Sequence, residues 1–313
     1  MLKKFEMNNG MIVPSQKEQS EIMVFVSPDA AETTYLTTKF NLDEHTLHSS
    51  LDPDEISRLE FESDHFALIF KRPKNYSSKD QFLFKVSSLG IFMFKEYMII
   101  LIAEDVPLFE GKQTYKVFTL LDVLLKMLFG SITHYLQHLK VITLISNEIE
   151  QKVNSSMENK YLIDMFTIEK SLVYYLNAVN SNAMALEKLK LHAAKIGFTT
   201  ENAEYLDDIL IENNQCLKQT EIHSNILGSL MDARVSIVSN NLNVMMKNLN
   251  ALVIAVAVPS FFAGMGGMSE FSMITKANPQ NWWIAYPVFF LIMILAGVGT
   301  FFAIKWLERF WKY

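Results

Sequence analysis

The apolar residues divide the chain into a long N-terminal part of mixed pattern and an apolar C-terminal quarter. Two uncharged segments stand in that quarter, from Asn248 through Met268 and from Trp282 to Ile304. The second has 23 residues, which as a helix would measure about 35 Å, enough to cross a hydrocarbon core of about 30 Å. The first has similar reach, and it contains Pro259 and glycines, which membrane helices tolerate. The pattern predicts two membrane spans within a transmembrane domain at 249–313. The alternative is a buried helical hairpin of a soluble protein.

Ahead of these spans, short β-rich runs alternate with helical patterns. The runs predict strands at 22–26, 66–71, 82–86, 91–94 and 98–102 and helices at 30–40 and 45–51. Ser27-Pro28-Asp29 has the order of a helix start, with Ser27 as the cap. We therefore expect an α/β domain at 1–115.

Long helices are predicted beyond this domain, because no proline occurs between Tyr115 and Pro259. We place helices at 117–156 and 160–196, the second ended by Gly197. A third begins at about residue 200 and continues into the first span, which makes it about 95 Å long. The region 116–248 is thus expected to be a helical stalk.

One face of that third helix carries polar and small residues at alternating steps of four and three, the rhythm of a coiled-coil face. Its members are Asp232, Ser236, Ser239, Asn243, Met246, Asn250, Val253, Ala257, Ser260 and Gly264. We call these ten residues the polar stripe. The adjacent face, which we call the apolar seam, is Met231, Val235, Val238, Leu242, Met245, Leu249 and Leu252. Several copies of the helix around an axis would pack through the apolar seams and leave rings of Asp232, Asn243 and Asn250 around a lumen. The alternative is that the small and polar residues are close-packing contacts of an ordinary helix pair.

Basic residues orient the two spans. Lys247 precedes the first, and Lys305, Arg309 and Lys312 follow the second, whereas the connecting loop has only Lys276. This bias predicts that both termini are cytoplasmic. The membrane that the two spans cross is expected to be the inner membrane of the cell. The net charge of −6 argues against a nucleic-acid partner.

Little in the sequence points to an enzyme. There is no Gly-rich phosphate loop, nucleophile elbow or paired-cysteine motif, and the single Cys216 has the pattern of a structural residue. His134 and His138 have a possible metal-ligand spacing, but no HExxH surrounds them, so a surface or packing pair is favoured.

At its C-terminal end the sequence resembles the CorA family of divalent-cation channels. Asn240 and Asn243 followed by Met246-Lys247 resemble the family's entry into the membrane, and Tyr286-Pro287-Val288 resembles the start of its second span. Gly267-Met268-Ser269 occupies the place of the family's Gly-Met-Asn signature, with serine for asparagine. The order of α/β domain, long helices and two spans matches as well.

The resemblance implies a homopentamer that conducts Mg²⁺, with Co²⁺ as a second candidate ion, inward along the electrochemical gradient without a covalent cofactor. It implies a selectivity filter at Gly267, Met268 and Ser269, with Glu270 in the outer loop as a possible attractor of cations, and Asp232 near a cytoplasmic gate. It implies a pore lined by Asn243, Met246, Leu249, Ala257 and Ser260, to which the polar stripe adds Asn250 and Val253. Asp207 and Asp208 fall where a regulatory divalent cation would bind.

The serine at the signature position leaves the choice of ion open. Mg²⁺ releases its waters reluctantly, so a filter is expected to grip the hydrated ion through oxygens. A Ser269 ring would be wider than an asparagine ring, and its hydroxyl both donates and accepts. Two alternatives to a Mg²⁺ channel therefore remain: a zinc transporter of the same fold, and a non-conducting, ligand-sensing membrane module.

Overall fold

The computed structural model describes residues 1–17, 20–109, 115–155, 159–266 and 282–310. It contains two compact units, Met1–Met231 and Asp232–Tyr313. The strands are β1 (Leu2–Asn8), β2 (Met11–Pro14), β3 (Ile22–Val26), β4 (Arg58–Phe61), β5 (Phe66–Pro73), β6 (Val86–Met93) and β7 (Met98–Ile102). The helices are α1 (Ala30–Phe40), α2 (Glu44–Ser49), α3 (Leu120–Ser155), α4 (Asn159–Leu191), α5 (Ala193–Ile196), α6 (Thr200–Gly266) and α7 (Trp282–Phe310).

The seven strands form one sheet in the order β2-β1-β3-β7-β6-β5-β4. Only β3 and β7 pair in parallel, with Val24 opposite Ile100, and the other neighbours are antiparallel. The central strands are apolar on both faces, which is typical of a sheet covered by helices on both sides.

Each face of the sheet packs against its own helices. Phe25, Phe92 and Leu101 form a core with residues of α1 and the α2 region, including Leu36 and Leu47. The opposite face joins a larger core with α3, α4 and the first part of α6, to which Val24, Phe70, Ile91, Leu124, Leu172 and Leu206 contribute. The N-terminal unit is therefore a three-layered α/β structure. Its α/β character was predicted from the sequence, whereas the packing of the long helices on the sheet was not.

The buried side chain of Lys71, on β5, holds the loop that follows α2. The Lys71 ammonium donates hydrogen bonds to the carbonyls of Asp52 and Pro53, at 3.0 and 2.9 Å, and to the Ser88 hydroxyl at 2.6 Å. Burial lowers the pKa of Lys71 to about 8. All three ammonium protons have acceptors, which is the usual condition for burying such a group.

Several sequence-based boundaries need correction. The predicted strand 82–86 is wrong, because Phe82 has a positive φ and the Phe84 N–H donates to the Ser171 hydroxyl at 2.9 Å and not to a neighbouring strand. The predicted strand 91–94 is the second half of β6, which begins earlier, at Val86, and ends at Met93. Ser27 is not the cap of α1. The cap is Asp29, whose carboxylate accepts from the Glu32 N–H at 2.8 Å.

The long helices lie close to their predicted bounds. The second was predicted to reach residue 196, but α4 ends at Leu191 and the short α5 follows it. Gly197 caps α5 with a φ of 91°, a left-handed conformation that favours glycine. Cys216 is buried, and burial raises its pKa to about 12, which makes it an unreactive core residue.

Candidate functional site

In the C-terminal unit, α6 and α7 are both long and apolar enough to cross a membrane. They meet through small residues. Ala251 and Ala255 on α6 are buried, and a Cβ added to Gly297 of α7 would come within 3.0 Å of the Ala255 carbonyl oxygen and 3.1 Å of a Pro259 ring carbon. The two helices approach this closely because residue 297 has no side chain.

Pro259 leaves the carbonyl at this contact without its usual hydrogen bond within the helix. A proline within a helix donates no hydrogen bond to the carbonyl four residues earlier, here that of Ala255. That carbonyl is the one that faces Gly297. The helix nevertheless continues to Gly266.

The centre of the polar stripe lies on the side of α6 away from α7, whereas Ser260 borders the apolar groove between α6 and α7, beside Phe290 and Met293. A helix turns about 100° per residue, so Val253 and Ala257 point about 200° away from Ala251 and Ala255. Met246 and Val253 are 49% and 58% exposed in the single chain, and Asn243, Asn250, Ala257 and Ser260 are exposed as well. The side of the helix that carries the predicted pore residues is therefore uncovered by its own chain.

Polar groups on this face have few partners within the chain. The Ser260 hydroxyl donates to the Val256 carbonyl at 2.8 Å, which leaves the hydroxyl oxygen as an acceptor. Within the parts of the chain that the structure describes, neither Asn243 nor Asn250 makes a side-chain hydrogen bond, and Asp232 is exposed. An amide side chain that faced lipid inside the membrane would be unfavourable. The side chains of Asn243 and Asn250 therefore require water or a neighbouring chain as hydrogen-bond partners.

The apolar seam is also exposed. Leu242, Met245, Leu249 and Leu252 are each at least half exposed in the single chain. Leu249 was also predicted to line the pore, and it stands at the boundary between the seam and the polar stripe.

The predicted filter, Gly267, Met268 and Ser269, together with Glu270, lies outside the described residues.

The two predicted regulatory carboxylates, Asp207 and Asp208, differ in their surroundings. Asp207 Oδ1 lies 2.7 Å from the Lys190 ammonium, and both side chains are about half exposed. Asp208 is exposed. Among the described residues, no three His, Cys, Asp or Glu side chains are grouped so that they could hold a metal ion.

His134 and His138 pack against each other, with ring centroids 4.3 Å apart. His138 Nδ1 is 2.6 Å from the Tyr175 hydroxyl. Burial lowers the pKa of both histidines to about 4, so both rings are neutral near pH 7. Sequence reasoning missed their charged neighbour, Arg72, because a basic residue at the end of a strand carries no pattern that distinguishes it.

Comparison with known proteins identifies relatives of the whole chain. The sequence model described as "CorA-like Mg2+ transporter protein" matches residues 18–306. The "Cobalt/magnesium transport protein CorA" of Methanocaldococcus jannaschii is 25% identical over 281 residues, 86% of each chain.

Solved structures share the fold. The complete CorA magnesium transporter of M. jannaschii has a TM-score of 0.74 at 20% identity, with 95% of each chain covered. The full-length CmaX protein has a TM-score of 0.65 at 14% identity, covering 96% of this chain and 91% of its own. The ZntB cytoplasmic domain of Vibrio parahaemolyticus has a TM-score of 0.57 at 13% identity, covering 76% of this chain and 98% of its own.

Proposed function

Because this chain belongs to the family of CorA-like Mg²⁺ transporter proteins, we propose that it assembles as a homopentameric channel that passes Mg²⁺, with Co²⁺ as a second candidate ion, into the cell. Membership of the family makes it a membrane-embedded transporter of divalent cations and not an enzyme. The ion, the pentamer, the orientation and the roles of individual residues belong to the proposal.

The main support for a channel is the polar stripe of α6. Its residues Asn243, Met246, Asn250, Val253, Ala257 and Ser260 are exposed in the single chain, and Val253 and Ala257 point away from α7. In a ring of subunits with α7 outside and α6 inside, these residues and Leu249 would surround a water-filled pore. Water in the pore would then satisfy the amides of Asn243 and Asn250, which the chain itself leaves without partners.

The apolar seam supports assembly. Leu242 and Met245 are 59% and 69% exposed, and they lie beside the polar stripe. Burying such side chains between subunits contributes about 1.5–3 kcal/mol each. A ring of identical helices around a water-filled pore requires an apolar seam for contact between subunits, next to a polar stripe that faces the water.

Selection and gating are assigned to the two ends of the pore. Gly267, Met268 and Ser269 would form the outer filter, in which oxygens bind the water shell of the ion. Glu270 would raise the local concentration of cations at the mouth. Five Asp232 carboxylates near the axis would repel one another unless a cation or protons neutralised them, which places the gate at the cytoplasmic end.

Regulation is assigned to Asp207 and Asp208. A divalent cation held by Asp208 and by ligands of a neighbouring subunit would tie the subunits together. Asp207 would first have to leave Lys190, its partner at 2.7 Å. Because that ion pair is half exposed, breaking it requires little free energy.

The basic residues support an orientation with both termini in the cytoplasm of the cell, the domains 1–115 and 116–248 on that side and the spans of 249–313 in the inner membrane. At an inward-negative potential of about 100 mV, a divalent cation gains about 4.6 kcal/mol on entry. Influx therefore needs no second energy source.

Ion flux into liposomes tests the proposal. The purified full chain would be reconstituted, and uptake of Mg²⁺, Co²⁺, Ni²⁺ and Zn²⁺ compared at an imposed inside-negative potential. We expect saturable Mg²⁺ uptake. Uptake of Zn²⁺ with no uptake of Mg²⁺ would instead identify a zinc transporter, and the absence of any uptake by an intact oligomer would identify a sensing module.

A further inference from the structure

A cavity of about 230 Å³ lies in the N-terminal unit, between the end of β5 and the middle of α3. Arg72 of β5 and His134 of α3 line it together. Its lining also includes Asn75, Ser131, Thr133 and Gln137, and the remaining lining residues are apolar. No acidic residue is among them. The cavity belongs to neither the pore nor the predicted regulatory carboxylates, and its role does not depend on the proposed function.

Arg72 carries a charge that the described residues do not neutralise. Its Nη1 atom is buried and has no hydrogen-bond partner, and burial lowers the pKa of the guanidinium. Glu104 is near enough to act on Arg72 electrostatically, but its carboxylate bonds the Lys74 ammonium. A buried, unpaired guanidinium is strongly unfavourable.

Arg58, in the same domain, differs from Arg72 because carboxylates of the chain pair with its guanidinium. Its guanidinium bonds Glu55 at 2.6 Å and Glu60 at 2.7 Å. The two arginines stand on neighbouring strands, β4 and β5. Of these two arginines, only Arg72 has a buried donor without a partner, and Arg72 also lines a cavity.

Polar groups reach the cavity from two directions. Asn75 follows β5, whereas Thr133, His134 and Gln137 belong to α3. In the described parts of the chain, Asn75, Thr133 and Gln137 form no side-chain hydrogen bond, so their donors are available. The Ser131 hydroxyl is less available, because it donates to the Met127 carbonyl at 2.9 Å.

We propose that this cavity binds a phosphate group, with the Arg72 guanidinium as its main ligand and Asn75, Thr133, His134 and Gln137 around it. An arginine fork fits a phosphate through two parallel hydrogen bonds. Donors on both sides suit the four oxygens of a tetrahedral ion better than the two coplanar oxygens of a carboxylate. The volume fits inorganic phosphate or one terminal phosphate of a nucleotide, whose remaining part would lie outside. Bound phosphate would join β5 to α3.

Thermal unfolding of the full-length protein in detergent tests this proposal. Far-UV circular dichroism would be recorded during titration with inorganic phosphate and, separately, with AMP and ATP, with sodium chloride matching the ionic strength. At a concentration about a hundred times the dissociation constant, phosphate should raise the midpoint of the N-terminal unit by about 5 °C. A rise with nucleotides alone would identify a nucleotide phosphate as the ligand, and a rise with inorganic phosphate would identify the free ion.

The decisive variant is Arg72→Met, which keeps an unbranched apolar stem and removes the charge. It should abolish the phosphate-dependent shift and, without phosphate, unfold at the same temperature as the wild type or higher. Arg58→Met is the matched control: it should unfold at a lower temperature and retain the full shift. If Arg72→Met does not fold, Thr133→Val preserves shape at a half-buried position and should weaken phosphate binding about tenfold.

Three results would overturn the proposal. The wild type could show no shift with any phosphate compound. Sodium chloride at matched ionic strength could produce the same shift. Finally, Arg72→Met, or Thr133→Val in its place, could bind phosphate as tightly as the wild type does.

Discussion

The side-chain amide of Asn182 on α4 pairs with both backbone polar groups of Lys71 on β5. Its oxygen accepts from the Lys71 N–H and its nitrogen donates to the Lys71 carbonyl, each at 2.8 Å. The Ser57 hydroxyl donates to the same amide oxygen at 2.7 Å. Because β4 pairs with β5 only as far as Ile69, the amide takes the place of a further strand residue and ties the helix layer to the sheet.

Replacing Asn182 with alanine should therefore destabilise the N-terminal unit by about 2–4 kcal/mol, because two buried backbone groups lose their partners. Urea unfolding followed by far-UV circular dichroism measures this. Asn180→Ala is the control: Asn180 is exposed on the same helix, and its replacement should change stability by less than about 0.5 kcal/mol. Equal effects of the two variants would show that the amide does not act as a strand substitute.

The contact between Gly297 and α6 predicts opposite effects for the same substitution at two positions. Glycine to alanine in a helix interior normally stabilises by about 0.5–1 kcal/mol. Gly299 has no atom within 4 Å of an added Cβ, so Gly299→Ala should follow that rule. Gly297→Ala places its methyl 3.0 Å from the Ala255 carbonyl oxygen and should destabilise the unit.

Tryptophan fluorescence can follow this unit selectively, because all four tryptophans lie between Trp282 and Trp311. The thermal midpoint by fluorescence should fall in Gly297→Ala and stay or rise in Gly299→Ala. If both variants rise together, the two spans do not approach at residue 297.

The neutral histidine pair predicts a loss of stability in acid. His134 and His138 have pKa values of about 4 in the folded protein, against about 6.5 in an unfolded chain. The unfolded state therefore takes up protons first as the pH falls below 6.5, and stability decreases between pH 6.5 and 4. At pH 5 the loss is at most about 2 kcal/mol per histidine, and less for the half-exposed His134.

Urea midpoints at pH 7 and pH 5 measure this loss. His138→Gln should reduce the difference between the two midpoints, whereas His45→Gln, at an exposed position of α2, should leave it as in the wild type. An unchanged difference in His138→Gln would mean that the buried ring does not titrate as its surroundings indicate.

The serine at the signature position predicts a change of ion preference. If Gly267-Met268-Ser269 forms the filter, Ser269→Asn supplies longer amide oxygens that can bind hydrated Mg²⁺, and the permeability ratio of Mg²⁺ to Zn²⁺ should rise. A tenfold rise corresponds to about 1.4 kcal/mol, which a few altered polar contacts can supply. The control is Ser272→Asn, in the same loop, which should leave the ratio unchanged. An unaltered ratio in a conducting Ser269→Asn pentamer would place selection elsewhere in the pore.

The long helices and central strands could be predicted because each has a strong local pattern. The run from Ile22 to Val26 is fully apolar and became β3 with the predicted bounds. The hairpin of β1 and β2 was missed although Asn9-Gly10, both with positive φ, is a turn sequence that two short strands often share. Both strands are only partly buried, β1 lacks a continuous apolar run and β2 is only four residues long, so the periodicity is weak.

Contacts across long sequence separations could not be predicted in the same way. Nothing local to Asn182 marks it as the partner of Lys71, 111 residues earlier. The cavity at Arg72 likewise could not be predicted, because residues of α3, far along the chain, form its other side. The polar stripe was visible because its members follow a single helix, so a repeat along the chain is also a repeat in space.

The most direct test of the account is block of ion flux by a thiol reagent at single cysteines on α6. In a Cys216→Ser background, Asn250→Cys and Met245→Cys channels would be reconstituted and treated with a membrane-impermeant, positively charged methanethiosulfonate. Both residues are exposed in the single chain, so they differ only if the chains assemble around a pore. The account predicts that modification stops Mg²⁺ uptake through Asn250→Cys and leaves uptake through Met245→Cys intact. Block at residue 245 with none at residue 250 would contradict it, because the apolar seam and not the polar stripe would then face the ions.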